Sequence, residues 1–199
     1  MGELIASDKP FTVEVLDSFF STLSDVENLE FEIGCGNGHF ITEYGAKQPE
    51  TLILGVDIKE KRCVKALKKI RQKGLTNIRI IRGRAEDCLQ LLPVRRLAAF
   101  HIYFPDPWPK KKHHRRRFFQ LPHLEQMYER LKIDGRIYFA SDMYDYYLQA
   151  KLLLLLHPGF ELVSEFPPEE MYNSVFCKRF TTVLDPIYTV IGKKTRTRG

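Results

Sequence analysis

Three short stretches hold side chains whose types and spacing could do chemistry. The first is Glu32-x-Gly34-x-Gly36-x-Gly38. Glycines there let the backbone turn tightly and let a ligand approach main-chain N–H groups. A dinucleotide pyrophosphate would be repelled by the leading acid, and the sixth position of the dinucleotide pattern is His39, not a small residue. S-adenosylmethionine carries an ammonium and a sulfonium, and both favour a carboxylate at that point. Asp57 ends the next apolar run, where a carboxylate can accept both hydroxyls of a ribose. The second stretch is Arg82-Gly83-Arg84-Ala85-Glu86-Asp87. Its backbone and Glu86 could reach an adenine, or Glu86 and Asp87 could serve only as acids opening a helix.

The third stretch is Phe104-Pro105-Asp106-Pro107-Trp108-Pro109, followed at once by Lys110, Lys111, Lys112, His113, His114, Arg115, Arg116 and Arg117. Three prolines fix φ and remove donors, so the loop is stiff and holds Asp106 in place. A rigid acid, the only tryptophan and a basic stripe suit a nucleobase site with phosphates alongside. Core packing is the plainer role for Trp108. His113 and His114 read as phosphate contacts or solvated residues. No third ligand accompanies them, so no metal is expected.

These stretches need a frame that places them along one edge. Short apolar runs alternate with helix-periodic segments from Leu29 onward. Strands are predicted at Leu29–Ile33, Leu52–Val56, Ile78–Ile81, Leu97–Tyr103, Arg136–Ala140, Phe160–Phe166 and Ile187–Ile191. Helices are predicted at Gly38–Lys47, Lys59–Lys73, Asp87–Leu92, Phe118–Leu131 and Tyr144–Leu156. In the second of these, Cys63, Val64, Leu67 and Ile70 should form the buried face. The alternation predicts an α/β, doubly wound, Rossmann-like sheet in which ligands bind at the C-terminal strand ends. One domain is expected over residues 1–199. Residues 1–28 form a helical extension with Val15, Leu16, Phe19, Phe20 and Leu23 on one face, and 193–199 a solvated basic tail.

Composition narrows the classes. The chain has 199 residues, 44% of them hydrophobic, which suits a globular protein with a sizeable core. The longest purely apolar run, Leu152–Leu156, is far short of a membrane span, and Met1–Lys9 has no signal-sequence pattern, so a cytoplasmic protein without a membrane partner is expected. Cys35, Cys63, Cys88 and Cys177 form no CxxC pair, so reduced, packed thiols are expected. The net charge is +6, and Lys110–Arg117 alone supplies six positive charges, which points to a polyanion partner.

The segment P-D-P-W-P-K-K-K-H-H-R-R-R resembles the signature of the bacterial tRNA (guanine-N7)-methyltransferases. The resemblance extends from Glu32 through the glycine turn and Asp57 to Ser141-Asp142 and Pro186-Ile187-Tyr188. It implies the class I methyltransferase fold, seven strands with the last antiparallel, and methyl transfer from S-adenosylmethionine to N7 of a guanine in the tRNA variable loop. Glu32, Gly34, Gly36, Asp57, Arg84, Ala85, Glu86 and Asp106 would then serve the cofactor, with Asp106 catalytic. Lys110, Asp142, Ser174 and Cys177 would serve the guanine, and Lys111 to Arg117 the RNA. Ser174 and Cys177 stand where the family carries Thr-x-x-Glu, so a hydroxyl is kept and a carboxylate lost. Arg84 stands where the family often has an acid or Asn, and an N-terminal RNA-binding arm is expected to be reduced. Two other readings remain open on the residues: an RNA-binding protein that kept the fold, and an amino-group methyltransferase. The sequence leaves monomer and homodimer open.

Overall fold

The computed structural model describes residues 11–12, 16–21, 26–173 and 186–195. The chain divides into two compact units, Met1–Pro93 and Val94–Gly199. In the first unit, β1 (Phe11–Thr12), β2 (Leu29–Ile33), β3 (Leu52–Asp57) and β4 (Ile78–Arg82) lie in the order β1-β4-β3-β2, all parallel. Its helices are α1 (Leu16–Ser21), α2 (His39–Lys47), α3 (Glu60–Gln72) and α4 (Ala85–Leu91). All five residues of β2 are buried, including Glu30 and Glu32, as expected of a strand covered on both faces. The two-residue strand β1 was not foreseen, because Phe-Thr carries no periodicity. Of the N-terminal helix, Phe19 and Phe20 are buried as expected; Val15 and Leu23 lie outside the described residues.

One expectation for α3 is corrected. Cys63, Ala66 and Ile70 are buried, but Val64 is 52% exposed. The helix comes closest to the glycine turn at Ala66, where a Cβ added to Gly38 would sit 2.7 Å from the alanine methyl. That contact rotates the buried face toward Ala66 and turns Val64 outward.

In the second unit, β5 (Leu97–Tyr103), β6 (Leu131–Ser141), β7 (Phe160–Leu162) and β8 (Tyr188–Lys194) lie in the order β5-β6-β8-β7. β5 and β6 are parallel, whereas β8 is antiparallel to both its neighbours. The helices are α5 (Leu121–Arg130) and α6 (Tyr144–Leu156). β6 starts directly after α5, five residues earlier than predicted. Asp134 takes a left-handed φ of 64° within it, and the pairing with β5 shifts register between Leu97 and Ala99. Asp134 and Gly135 thus mark an irregularity inside the strand.

The expected basic tail is also corrected. Lys193 and Lys194 belong to β8. Lys194 is 1% exposed, and its Nζ donates to the carbonyls of Tyr128 (2.6 Å) and Leu131 (2.8 Å) while lying 4.2 Å from the Tyr128 ring centre. These are carbonyls of the last turn of α5 and its C-cap, so a strand lysine closes the helix end. Removing the ammonium would leave two carbonyls without their donor, at about 1–3 kcal/mol each. Lys194→Met is therefore expected to lower the unfolding free energy by roughly 2–4 kcal/mol in a urea titration. Lys193→Met, whose partners Asp134 and Glu161 are exposed, should leave it nearly unchanged.

Candidate functional site

The parallel register of β2, β3 and β4 brings their C-terminal ends to one edge of the first unit, with Ile33 opposite Val56 and Asp57 opposite Arg82. The chain leaves β2 through Gly34, Gly36 and Gly38, whose φ angles of 77°, 55° and 73° are the left-handed conformation that glycine tolerates. Gly34 N and Cys35 N both donate to the Val56 carbonyl at 2.9 Å. Asp57 finishes the fastening: its Oδ2 accepts from Gly36 N (3.1 Å) and its Oδ1 from Lys59 N (2.7 Å). Gly83 N, from the loop after β4, donates to the Asp57 carbonyl at 3.2 Å. Beyond Gly34 lies open space, and at Gly36 the nearest atom to an added Cβ is 3.9 Å away. The turn thus leaves its backbone accessible.

Glu32 lies beneath this turn, 5% exposed, and its Oε2 has no hydrogen-bond partner. Burial, and then the charge of Asp57, raise its pKa to about 8. The neighbouring Cys35 thiol is pushed up as well, first by burial and then by Glu32. Arg84 is the extended residue before α4, Ala85 begins that helix, and Glu86 lies in its first turn, 3.5 Å from the Arg84 guanidinium.

In the second unit, Asp106 is exposed on the loop that follows β5. Phe104 (φ 50°) and Trp108 (φ 43°) bracket it, both left-handed without being glycine. Such conformations cost of order 1–3 kcal/mol each and persist only where the surroundings enforce them. Phe104 N is tied to the Ala140 carbonyl at 2.9 Å. Trp108 packs edge-on against His113, with Arg116 4.9 Å over its ring. Asp142 is half-buried between β6 and α6, after Ser141, whose Oγ accepts from Met143 N at 3.1 Å. Ser174 and Cys177 lie outside the described residues.

The basic run is not uniform. Lys110, Lys111, Lys112, Arg115 and Arg116 are exposed and His113 and His114 half-buried, with Lys111–Arg116 forming a 3-10 turn. Arg117 is 2% exposed and is not part of the outward stripe. Its Nε donates to the Pro107 carbonyl (2.9 Å), its Nη1 to Gln149 (3.0 Å) and its Nη2 to Asp145 (2.5 Å), and the guanidinium lies 4.6 Å over the Tyr146 ring. Burial alone would raise the Asp145 carboxyl pKa, yet Arg117, helped by His114, holds it below the usual range. Asp145, Tyr146 and Gln149 were missed from sequence. The available signal was Asp145 and Gln149 at helical spacing on a helix otherwise full of leucine. Among the described residues, no three His, Cys, Asp or Glu side chains are grouped to hold a metal. No described helix is long and apolar enough to cross a membrane.

The family described as "Putative methyltransferase" matches residues 27–178. The tRNA (guanine-N(7)-)-methyltransferase of Ralstonia pickettii (strain 12J) is 32% identical over 189 residues, 93% of this chain and 74% of that protein. This chain belongs to the tRNA (guanine-N7)-methyltransferase family. The namesake from Syntrophotalea carbinolica is 39% identical over 129 residues, 64% of this chain, and the chain spans only 56% of that relative's length. Among solved structures, the 16S rRNA methyltransferase KamB matches with a TM-score of 0.64 at 16% identity, covering 90% of this chain and 94% of that one. At that identity the likeness shows the fold, which is the class I methyltransferase fold: a doubly wound mixed sheet whose last strand is antiparallel.

Methyltransferases of this family use S-adenosylmethionine, and the residues present fit it. A buried carboxyl oxygen without a donor has room for one, the ammonium of S-adenosylmethionine is such a donor and would favour the ionised form, and the open glycine turn leaves space beside it. Between about pH 4.5 and 8 the folded chain holds a proton on Glu32 that the unfolded chain has lost, so this group makes folding less favourable as pH rises through that window. A cationic ligand would reverse the preference and expel the proton. At pH 7, calorimetry in two buffers of different ionisation enthalpy is expected to show close to one proton released per S-adenosylmethionine bound. Glu32→Gln should abolish the release, weaken binding by more than tenfold and raise the ligand-free melting temperature at pH 8.

Arg117 makes a separate expectation. Arg117→Lys keeps the charge but loses the planar fork. It should shift emission of the single tryptophan, Trp108, to the red, while the slope of log Kd for tRNA against log salt stays as in the wild type. A flattened slope would return Arg117 to the outward basic stripe.

Proposed function

We propose that this chain transfers a methyl group from S-adenosylmethionine to N7 of a guanine in the variable loop of tRNA. The observation that carries the cofactor is the unpartnered carboxylate of Glu32 under an open glycine turn. The substrate follows from kinship: a relative named tRNA (guanine-N(7)-)-methyltransferase matches over 93% of this chain.

Glu32, ionised, would hold the cationic end of the cofactor. Asp57 keeps unused lone pairs on the two oxygens that fasten Gly36 and Lys59, and these would accept the ribose hydroxyls. The segment Arg84–Glu86, where α4 begins after β4, would take the adenine. Bound S-adenosylmethionine supplies an electrophilic methyl group on sulfur. Guanine N7 has an in-plane lone pair and no proton at neutral pH, so no general base is required. The protein's task is orientation, which can supply a large part of the rate enhancement. Asp106 and Asp142 would accept from N1–H and N2–H₂ of guanine, a pairing that adenine cannot offer. As the purine becomes cationic, Asp106 would also stabilise the developing charge, an effect worth about 2–4 kcal/mol. Lys110 would sit beside the base, and Lys111, Lys112, Arg115 and Arg116 would take phosphates.

The test uses labelled S-adenosylmethionine and tRNA lacking this modification, followed by nucleoside identification. N7-methylguanosine is expected as the labelled product, and Asp106→Ala should lose at least 100-fold in kcat, consistent with about 2.7 kcal/mol or more, with the fold intact by circular dichroism. Near-normal turnover by that variant would remove Asp106 from its role. Cofactor binding without any label would favour an RNA-binding protein that kept the fold, and label on an adenine amino group would favour the other methyltransferase reading.

A further inference from the structure

Helix α3 carries a second concentration of charge. Eight of the fifteen residues from Lys59 to Lys73 are Lys or Arg, against one acid, Glu60. The two acids next to the start of α3 are already engaged: Glu60 with Arg82 at 2.8 Å and Asp57 with Arg62 at 3.5 Å. Lys61, Lys65 and Lys68 are exposed, and among the described residues none of them has an ion-pair partner. Their i, i+4, i+7 spacing places them on one line along the helix, about 10 Å from first to last. Like charges at these spacings repel one another, and an ordinary solvated helix face alternates signs to avoid that. An uncompensated line of lysines is relieved by a polyanion.

The position favours RNA as that polyanion. α3 starts three residues after Asp57, and the Asp57 carboxylate binds both Lys59 N and Gly36 N. The line therefore runs outward from the edge that carries the glycine turn. We propose that Lys61, Lys65 and Lys68 form a phosphate-contacting surface for the tRNA, separate from the 110–116 run. This rests on the reading of the chain as a tRNA methyltransferase. The contact is to backbone phosphates, so it adds affinity without base preference.

The test is the triple variant Lys61→Gln/Lys65→Gln/Lys68→Gln in the full chain. Gln has a helix propensity close to that of Lys, so α3 should persist. Filter binding of unmodified tRNA across salt concentrations should lose about 2–3 from the magnitude of the log–log slope, close to one per phosphate contact. The Kd for tRNA at low salt should rise 10-fold or more. The kcat at saturating tRNA and the KM for S-adenosylmethionine should stay within twofold. An unchanged slope in a variant that still methylates tRNA would overturn the α3 surface and leave the proposed reaction standing. A wild-type chain that neither binds nor methylates tRNA would overturn both. Loss of binding to anionic phosphatidylserine vesicles, with tRNA binding intact, would overturn the RNA assignment in favour of a membrane surface.

Discussion

Two carboxyl groups, Glu32 and Asp57, are buried on neighbouring strands beneath the glycine turn, and burial together with the charge of Asp57 opposes the ionisation of Glu32. The structure resolves this unequally. Asp57 has two backbone N–H donors and stays with the turn it fastens, whereas Glu32 has an oxygen with no donor and a pKa raised to about 8. Much of the first unit's edge follows from that division. The aspartate sets the path of the chain from β2 into α2 and from β3 into α3, and the glutamate is left with an oxygen that no described group donates to.

The second unit solves a different problem, how to hold an exposed acid still. Asp106 has solvent on one side, so packing alone does not fix it. Prolines restrict the backbone from within, and two left-handed non-glycine residues close the segment at either end. Arg117 grips it from behind through the Pro107 carbonyl and passes the constraint to α6 through Asp145, Gln149 and Tyr146. This is why a run that reads as eight equivalent polar letters has one member facing inward. The 3-10 turn at Lys111–Arg116 points most of its side chains to solvent and returns the chain with Arg117 turned to the helix.

The frame was largely legible in the sequence, and the reasons are specific. Leu52–Val56 is apolar throughout, which only a strand covered on both faces requires. Tyr144–Leu156 is bounded by Pro158-Gly159, and both its ends were placed correctly. What escaped was decided by tertiary contact. Val64 belongs to the right heptad arc, but the close approach of Ala66 to Gly38 rotates the helix away from it. Lys193 and Lys194 read as a solvated tail because lysine is rarely buried. A strand that ends over the C-terminus of α5 can bury one, since the helix end offers two carbonyls. On the functional side, Glu32, Asp57 and Asp106 stood out by their neighbours. Asp145 and Gln149 did not, because their role is to hold another side chain and not to meet a ligand.

Methylation at N7 asks little of a protein by way of proton transfer. The nucleophile is a lone pair already exposed at the purine edge, so a site built for the reaction should show order and not tuned acid–base chemistry. The second unit has that character: a loop over-determined by prolines, by a buried guanidinium and by strained backbone at both ends. The perturbed carboxyl lies in the first unit, and in the proposed reaction it would hold a cation rather than move a proton. Orientation is what the proposed transfer would demand most, and the rigid Asp106 loop is the feature of the second unit that would supply it.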